Sequence, residues 1–340
     1  MSRPVGQHEQ RSREIKIRGT KYVVRSRMRV GRRDYLVLKN LGNQGRRRLL
    51  AFDESAGPNG DLRVIHELPK NQATRQQLAV LSRLPQLHSS LPLLDNYHVE
   101  RDRIIAVRQW VWGISLAEYL ADCRAGKRAW PSTYIAVTKF RSFVHGLCQL
   151  HDRLRIVHGD IRPDNIVVGA NPLNFVLMDF GNAWTEERGA HRAEGDGFHP
   201  GYAAPEMVDP TITPTDLSDQ FSATVVLYEL ITHRLPFDEL GGKAGWPAFR
   251  DKFRDYSPSV RRAIEGRGDL PRQQIVAVDS MIAKALHLDP AKRFSTGAAW
   301  RDSLDAIAHD MRQGSKIRGW GKFWIEMIGR IGSHWQRRNR

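Results

Sequence analysis

Apolar residues follow two rhythms along this 340-residue chain. From Tyr35 they fall in short runs. Tyr35-Leu36-Val37-Leu38 reads as a strand, Gly42-Asn43-Gln44-Gly45 as a turn and Leu49-Leu50-Ala51-Phe52 as the returning strand of a hairpin. Gly57-Pro58-Asn59-Gly60 turns the chain into a third strand from Leu62 to Leu68. Leu78, Leu81 and Leu84 then recur at helical spacing across residues 71–84, and Ile104-Ile105-Ala106-Val107 gives another strand. After Trp112-Gly113, which reads as a crossover, the rhythm is mainly helical. Ser115 is placed to cap a helix through Leu116 and Tyr119, and Ile135, Val137, Phe140, Val144 and Leu147 share a face over residues 134–151. Residues 221–232 and 273–287 add further apolar helical segments. The pattern predicts an α+β fold, with a strand-rich N-terminal lobe before a larger helical one.

Charge divides the chain differently. Residues 1–49 hold fifteen Lys or Arg against three Asp or Glu, and residues 313–340 hold seven against one, so a total of +16 leaves residues 50–312 near −2. An almost neutral body thus carries two basic ends, whose plainest role is solubility or loose contact with polyanions. With only Cys123 and Cys148 there is no disulfide framework, and a reducing, cytoplasmic compartment is the simpler expectation. No window approaches the eighteen or more apolar residues of a bilayer span.

Two polar clusters carry candidate chemistry. One is His158-Gly159-Asp160-Ile161-Arg162-Pro163-Asp164-Asn165; the other is Asp179-Phe180-Gly181, after Phe175-Val176-Leu177-Met178. Asp160, Asn165 and Asp179 can between them place an incoming hydroxyl and the metal ions of a nucleoside triphosphate, as phosphoryl transfer requires.

Over residues 35–310 the chain resembles the eukaryotic-like serine/threonine protein kinase family. His158 to Asn165 resembles the catalytic loop, Asp179-Phe180-Gly181 the metal-binding loop, and Ala204-Pro205-Glu206 the end of the activation segment. Asp219 resembles the buried aspartate that steadies the catalytic loop, and Arg293 the arginine that pairs with Glu206. The resemblance implies a bilobal protein-kinase-like fold and ATP-dependent phosphoryl transfer to a protein serine or threonine hydroxyl. It implies Asp160 as base, Arg162 offsetting charge on the moving phosphate, and Asn165 and Asp179 binding Mg2+, with Mn2+ as an alternative. The other reading is a pseudokinase, a scaffold or allosteric regulator whose Asp160 and Asp179 survive as loop-fixing acceptors.

The small lobe departs from the family pattern. Gly42 and Gly45 lie in the stretch matching the glycine-rich loop, but Gln44 and Arg47 replace two of its main glycines. His66 stands where the family carries its phosphate-binding lysine, and Gln77 where the partner glutamate belongs. With a reference pKa of about 6.5, a histidine there is mostly neutral at pH 7 and serves as a hydrogen-bond donor rather than a dependable cation. Arg108 matches the gatekeeper position, from which it can reach the phosphate side, bond Gln77, or fill the space and exclude nucleotide. Gln109 and Val111 complete the nucleotide-binding candidates. Between residues 182 and 203 the only hydroxyl residues are Thr185 and Tyr202, and Gly159 replaces the arginine that often answers a phosphorylated loop.

The expected organisation is a basic extension over 1–34, a kinase-like N-lobe over 35–110, a C-lobe over 111–312 and a basic aromatic tail over 313–340. The tail interleaves Trp320, Phe323, Trp324, Ile328 and Trp335 with Lys and Arg, so it suits either packing onto the helical lobe or peripheral contact with an anionic membrane. The expected partner is a protein, as substrate or as regulated target. Specific nucleic-acid binding has only charge in its favour.

Overall fold

The structure is a computed structural model, and it describes residues 13–42, 47–56, 61–84, 87–169, 175–185, 199–264 and 270–314. The expected turn at Gly57–Gly60, Gly45 and the tail beyond Gly314 lie outside these residues. The described residues divide into two compact units, one within residues 13–74 and 93–110 and the other within residues 75–92 and 111–314.

The first unit is built on strands. β1 (Glu14–Ile17) and β2 (Thr20–Val23) form a separate hairpin. β3 (Ser26–Val30), β4 (Arg33–Asn40), β5 (Arg48–Asp53), β6 (Leu62–Pro69), β7 (Leu94–Val99) and β8 (Arg103–Gln109) make an antiparallel sheet in the order β3-β4-β5-β6-β8-β7. Tyr35, Val37, Leu49, Ala51, Ile65, Ile105 and Val107 pack with Val30 into one core on this sheet. The sheet begins at Ser26, not at Tyr35, because Val30 is buried and Met28 half-buried while Arg27 and Arg29 stay in solvent. The edge strand β7 was also not expected. Its Tyr97 and Val99 are exposed, so it lacks the apolar run that marks the inner strands.

α1 (Gln72–Ser82) crosses the division between the units at Thr74. The second unit holds the short sheet of β9 (Gly113–Ser115), β10 (Ile166–Gly169) and β11 (Phe175–Leu177), in the order β11-β10-β9. Gly113 is required there, since a Cβ would lie 1.9 Å from the Val168 carbonyl oxygen. The helices are α2 (Leu116–Arg124), α3 (Thr133–Leu154), α4 (Asp216–Thr232), α5 (Pro247–Phe253), α6 (Val260–Ala263), α7 (Arg272–Ala285) and α8 (Gly297–Gly314). Ser115 accepts from the Glu118 amide at 3.0 Å and so caps α2 as its sequence implies. None of the described helices is long and apolar enough to cross a membrane.

α4 is buried from Ser218 to Thr232; the Ser222, Thr224 and Thr232 hydroxyls donate to carbonyls four residues back, and the Gln220 amide exchanges two bonds with the Phe294 backbone. Beside it, Arg293 forms a two-pronged pair with Glu206 at 2.7 and 2.8 Å and donates to the Leu217 and His287 carbonyls. Its guanidinium also lies 4.9 Å from the Phe221 ring centre. Arg293→Ala leaves a carboxylate without its countercharge and is expected to cost about 3–5 kcal/mol in denaturant unfolding. Arg254→Ala, which removes an exposed pair with Asp251, should leave the midpoint almost unchanged.

Candidate active site

The second unit holds its polar loop by a carboxylate from α4. Asp219 Oδ2 accepts from the His158 amide at 2.7 Å and from His151 Nε2 at 2.9 Å, while Oδ1 accepts from the Gly159 amide at 2.9 Å. Asp219 is 1% exposed, so it has no water to replace these donors. His158 is wholly buried, and its ring extends the same network. Nε2 donates to the Met178 carbonyl at 2.9 Å and Nδ1 accepts from the Asp160 amide at 3.3 Å, which assigns the neutral Nε2–H tautomer. Phe180 sits edge-on to that ring at 4.8 Å.

Gly159 adopts φ of +74°, and an added Cβ would lie 3.0 Å from the Asn182 carbonyl oxygen. A side chain here would be strained, so the glycine at this position serves the backbone. The loop then delivers Asp160. Asn165 Nδ2 donates to Asp160 twice, at 2.8 Å to the carbonyl and 2.9 Å to Oδ2. Arg162 lies 3.6 Å from the Asp160 carboxylate and 3.3 Å from that of Asp164. The Met178 amide donates to the Asn165 carbonyl at 2.7 Å, which ties the residue preceding Asp179 to the same loop. Asp179 itself has φ of +56°, held in part by a 3.3 Å bond from the Gly181 amide to its Oδ1. A left-handed aspartate costs on the order of 1–3 kcal/mol and persists only where its surroundings fix it. Gln77 also reaches this region, with its amide nitrogen 3.9 Å from where a Gly181 Cβ would stand.

The first unit brings His66 and Arg108 together, with Arg108 Nη2 2.8 Å from His66 Nδ1. Both residues are 7% exposed. The Gly42 amide is held by Asn40 Oδ1 at 3.0 Å, and the Gln109 amide donates to the Leu93 carbonyl at 3.0 Å. Val111 is half-buried and opens the second unit's main segment.

One polar network escaped the sequence reading. Glu229 of α4 is 1% exposed, accepts from Tyr202 Oη at 2.7 Å and pairs with Arg124 of α2. Its only signal is a lone carboxylate within the apolar run from Val225 to Ile231. Tyr202 lies two residues before Ala204, so the network pins the end of the segment that runs from Asp179.

A family profile described as "protein kinase domain" matches residues 65–304. The chain belongs to that family. Among its relatives, the serine/threonine-protein kinase GIN4 of Saccharomyces cerevisiae is 30% identical over 186 residues, which are 54% of this chain and 15% of GIN4. The carbon catabolite-derepressing protein kinase of Candida glabrata is 28% identical over 222 residues, 62% of this chain and 33% of that one. The chain therefore spans a minor part of the length of these relatives. The PknI kinase domain of Mycobacterium tuberculosis superposes with a TM-score of 0.53 at 17% identity, covering 80% of this chain and 95% of that domain. At this identity the likeness shows the fold: a kinase-type strand-rich lobe and helical lobe, as the sequence implies.

Burial is the largest influence on Asp160 and raises its pKa, while the Arg162 charge and the Asn165 bond pull it down and Asp179 raises it further. A carboxyl whose folded-state pKa lies above the unfolded value of about 3.9 contributes its full stability below that value. The contribution is lost as pH rises through the raised value. The unfolding free energy of wild type minus that of Asp160→Asn should therefore fall as pH rises from about 4 and become flat once Asp160 is ionised in both states. Urea melts across pH check the sign; a difference that grew with pH would contradict it.

Proposed function

We propose that this protein transfers the γ-phosphoryl group of ATP to a serine or threonine hydroxyl of a protein substrate. The observation that carries the reading is the loop in which Asn165 holds the Asp160 carboxylate while Asp219 holds the loop's backbone. Because the Asn165 amide nitrogen is committed to Asp160, its oxygen remains as the acceptor, and the Asp179 carboxylate supplies further oxygens. Such a set fits a hard divalent ion, Mg2+ or Mn2+, which when bound would neutralise charge on the phosphates.

Asp160 orients the substrate hydroxyl and takes up its proton as the new oxygen–phosphorus bond forms and the bond to the ADP oxygen breaks. Its raised pKa improves it as a proton acceptor over an ordinary aspartate. Arg162 lies close enough to Asp160 to offset charge on the transferring group. The chemistry is chiefly positioning, which is what the bonded loop supplies.

A second reading, a regulator without transfer, is favoured by one feature: the β6 position expected to bind phosphate is a histidine bonded to Arg108. Radiolabelled phosphate transfer from ATP to a mixed protein substrate separates the two. Transfer is expected with wild type and a loss on the order of 100-fold or more with Asp160→Asn and Asp179→Asn. Equal background in all three, with Mg2+ and Mn2+ both tried, would leave the regulator.

A further inference from the structure

The pairing of His66 with Arg108 has consequences at the level of single protons. Val64 faces Arg108 and His66 faces Ala106 across β6 and β8, so His66 and Arg108 are diagonal neighbours on one face of the sheet. A guanidinium has five donors and no acceptor. At 2.8 Å from Arg108 Nη2, His66 Nδ1 must therefore present a lone pair, and the neutral ring carries its proton on Nε2. Protonating Nδ1 would set two cations against each other at that distance. Arg108 thus holds the imidazole neutral and fixes which nitrogen donates.

Charge is supplied around the ring, not by it. Arg48 of β5 stands opposite His66 in the register and shares its face, and it is exposed. The nearest carboxylate on β6, Glu67, points to the opposite face, where Arg47 and Arg103 pair with it at 3.0 Å each. This face of the sheet accordingly carries an N–H donor between two arginines, a combination that suits a phosphate oxygen.

We propose that Arg108 is a positioning residue that holds His66 as an Nε2–H donor to a nucleotide phosphate and supplies, from β8, the positive charge that the β6 position lacks. The proposal rests on the phosphoryl-transfer reading above for the identity of the nucleotide.

Three measurements on the full-length protein test it. Calorimetric titration should show Arg108→Met weakening Mg-ATP binding on the order of tenfold, with adenosine binding unchanged, because only the phosphate contribution is removed. His66→Lys combined with Arg108→Met returns a cation to β6 and should recover the ATP affinity; this double variant also shows that loss in the single one is not misfolding. Nitrogen-15 spectra of the His66 ring should show Nδ1 as an unprotonated acceptor through the pH range in which exposed histidines titrate, and ordinary titration in Arg108→Met. A gain of both ATP and adenosine affinity in Arg108→Met would overturn the proposal, since Arg108 would then be an obstruction. Identical His66 titration in the two proteins would overturn it also. ATP binding that ignores Arg108 would end this inference alone, whereas wild type that binds no ATP would end it together with the phosphoryl-transfer reading.

Discussion

Asp219 brings a carboxylate into an interior that offers no water, and there it accepts from two successive backbone amides and a histidine. Turning His158 and Gly159 toward the same acceptor curls the chain so that Asp160 emerges at a fixed angle, and the positive φ of Gly159 permits the curl. His158 passes the constraint on to the Met178 carbonyl, and Asn165 passes it to the Met178 amide. The two polar clusters of the sequence are thereby held as one object. Since a buried acceptor and its donors are expensive to separate, the arrangement is stiff before any ligand arrives.

The same helix that carries Asp219 also carries Glu229, near its other end. Glu229 is raised in pKa by burial, and bonds from Tyr202 and Arg124 lower it and keep it in place. Arg293 and Glu206 repeat the device beside Phe221. A helix apolar by pattern is in this way also the attachment point for the segment between Asp179 and Glu206. Such polar contacts add little net stability compared with apolar burial, and their value here lies in fixing which loop stands where.

Much of this was legible, and the limits of what was legible have physical causes. The apolar runs that became β4, β5, β6 and β8 are inner strands with both neighbours present, so their pattern is strong. β3 and β7 are the sheet's two edges, and an edge strand that meets solvent reads as polar chain. Asp160, Asn165 and Asp179 stood out because each lies in a short polar motif, whereas Asp219, which bonds His158 and Gly159 across 61 and 60 residues, was singled out only by the resemblance. Arg124 and Glu229 meet across 105 residues of sequence, and no local pattern announces such a pair. Arg108 stayed ambiguous for a similar reason: three destinations suited its long side chain, and only the pairing of β6 with β8 sets it against His66. The first unit and the second thus differ in how far they follow the family. The second keeps the polar motifs of the family, while the first has a histidine, bonded to Arg108, where the family carries a lysine.

If Asp219 governs the loop, loosening its bonds should loosen the loop before anything else. The direct measurement is amide hydrogen exchange of Asp219→Asn, in which one oxygen acceptor becomes an amide donor. Faster exchange is expected across residues 156–165, with α4 and α7 as protected as in wild type. Exchange across 156–165 unchanged from wild type in a folded variant would contradict the account, because the loop would then hold its shape without the carboxylate that is argued to set it.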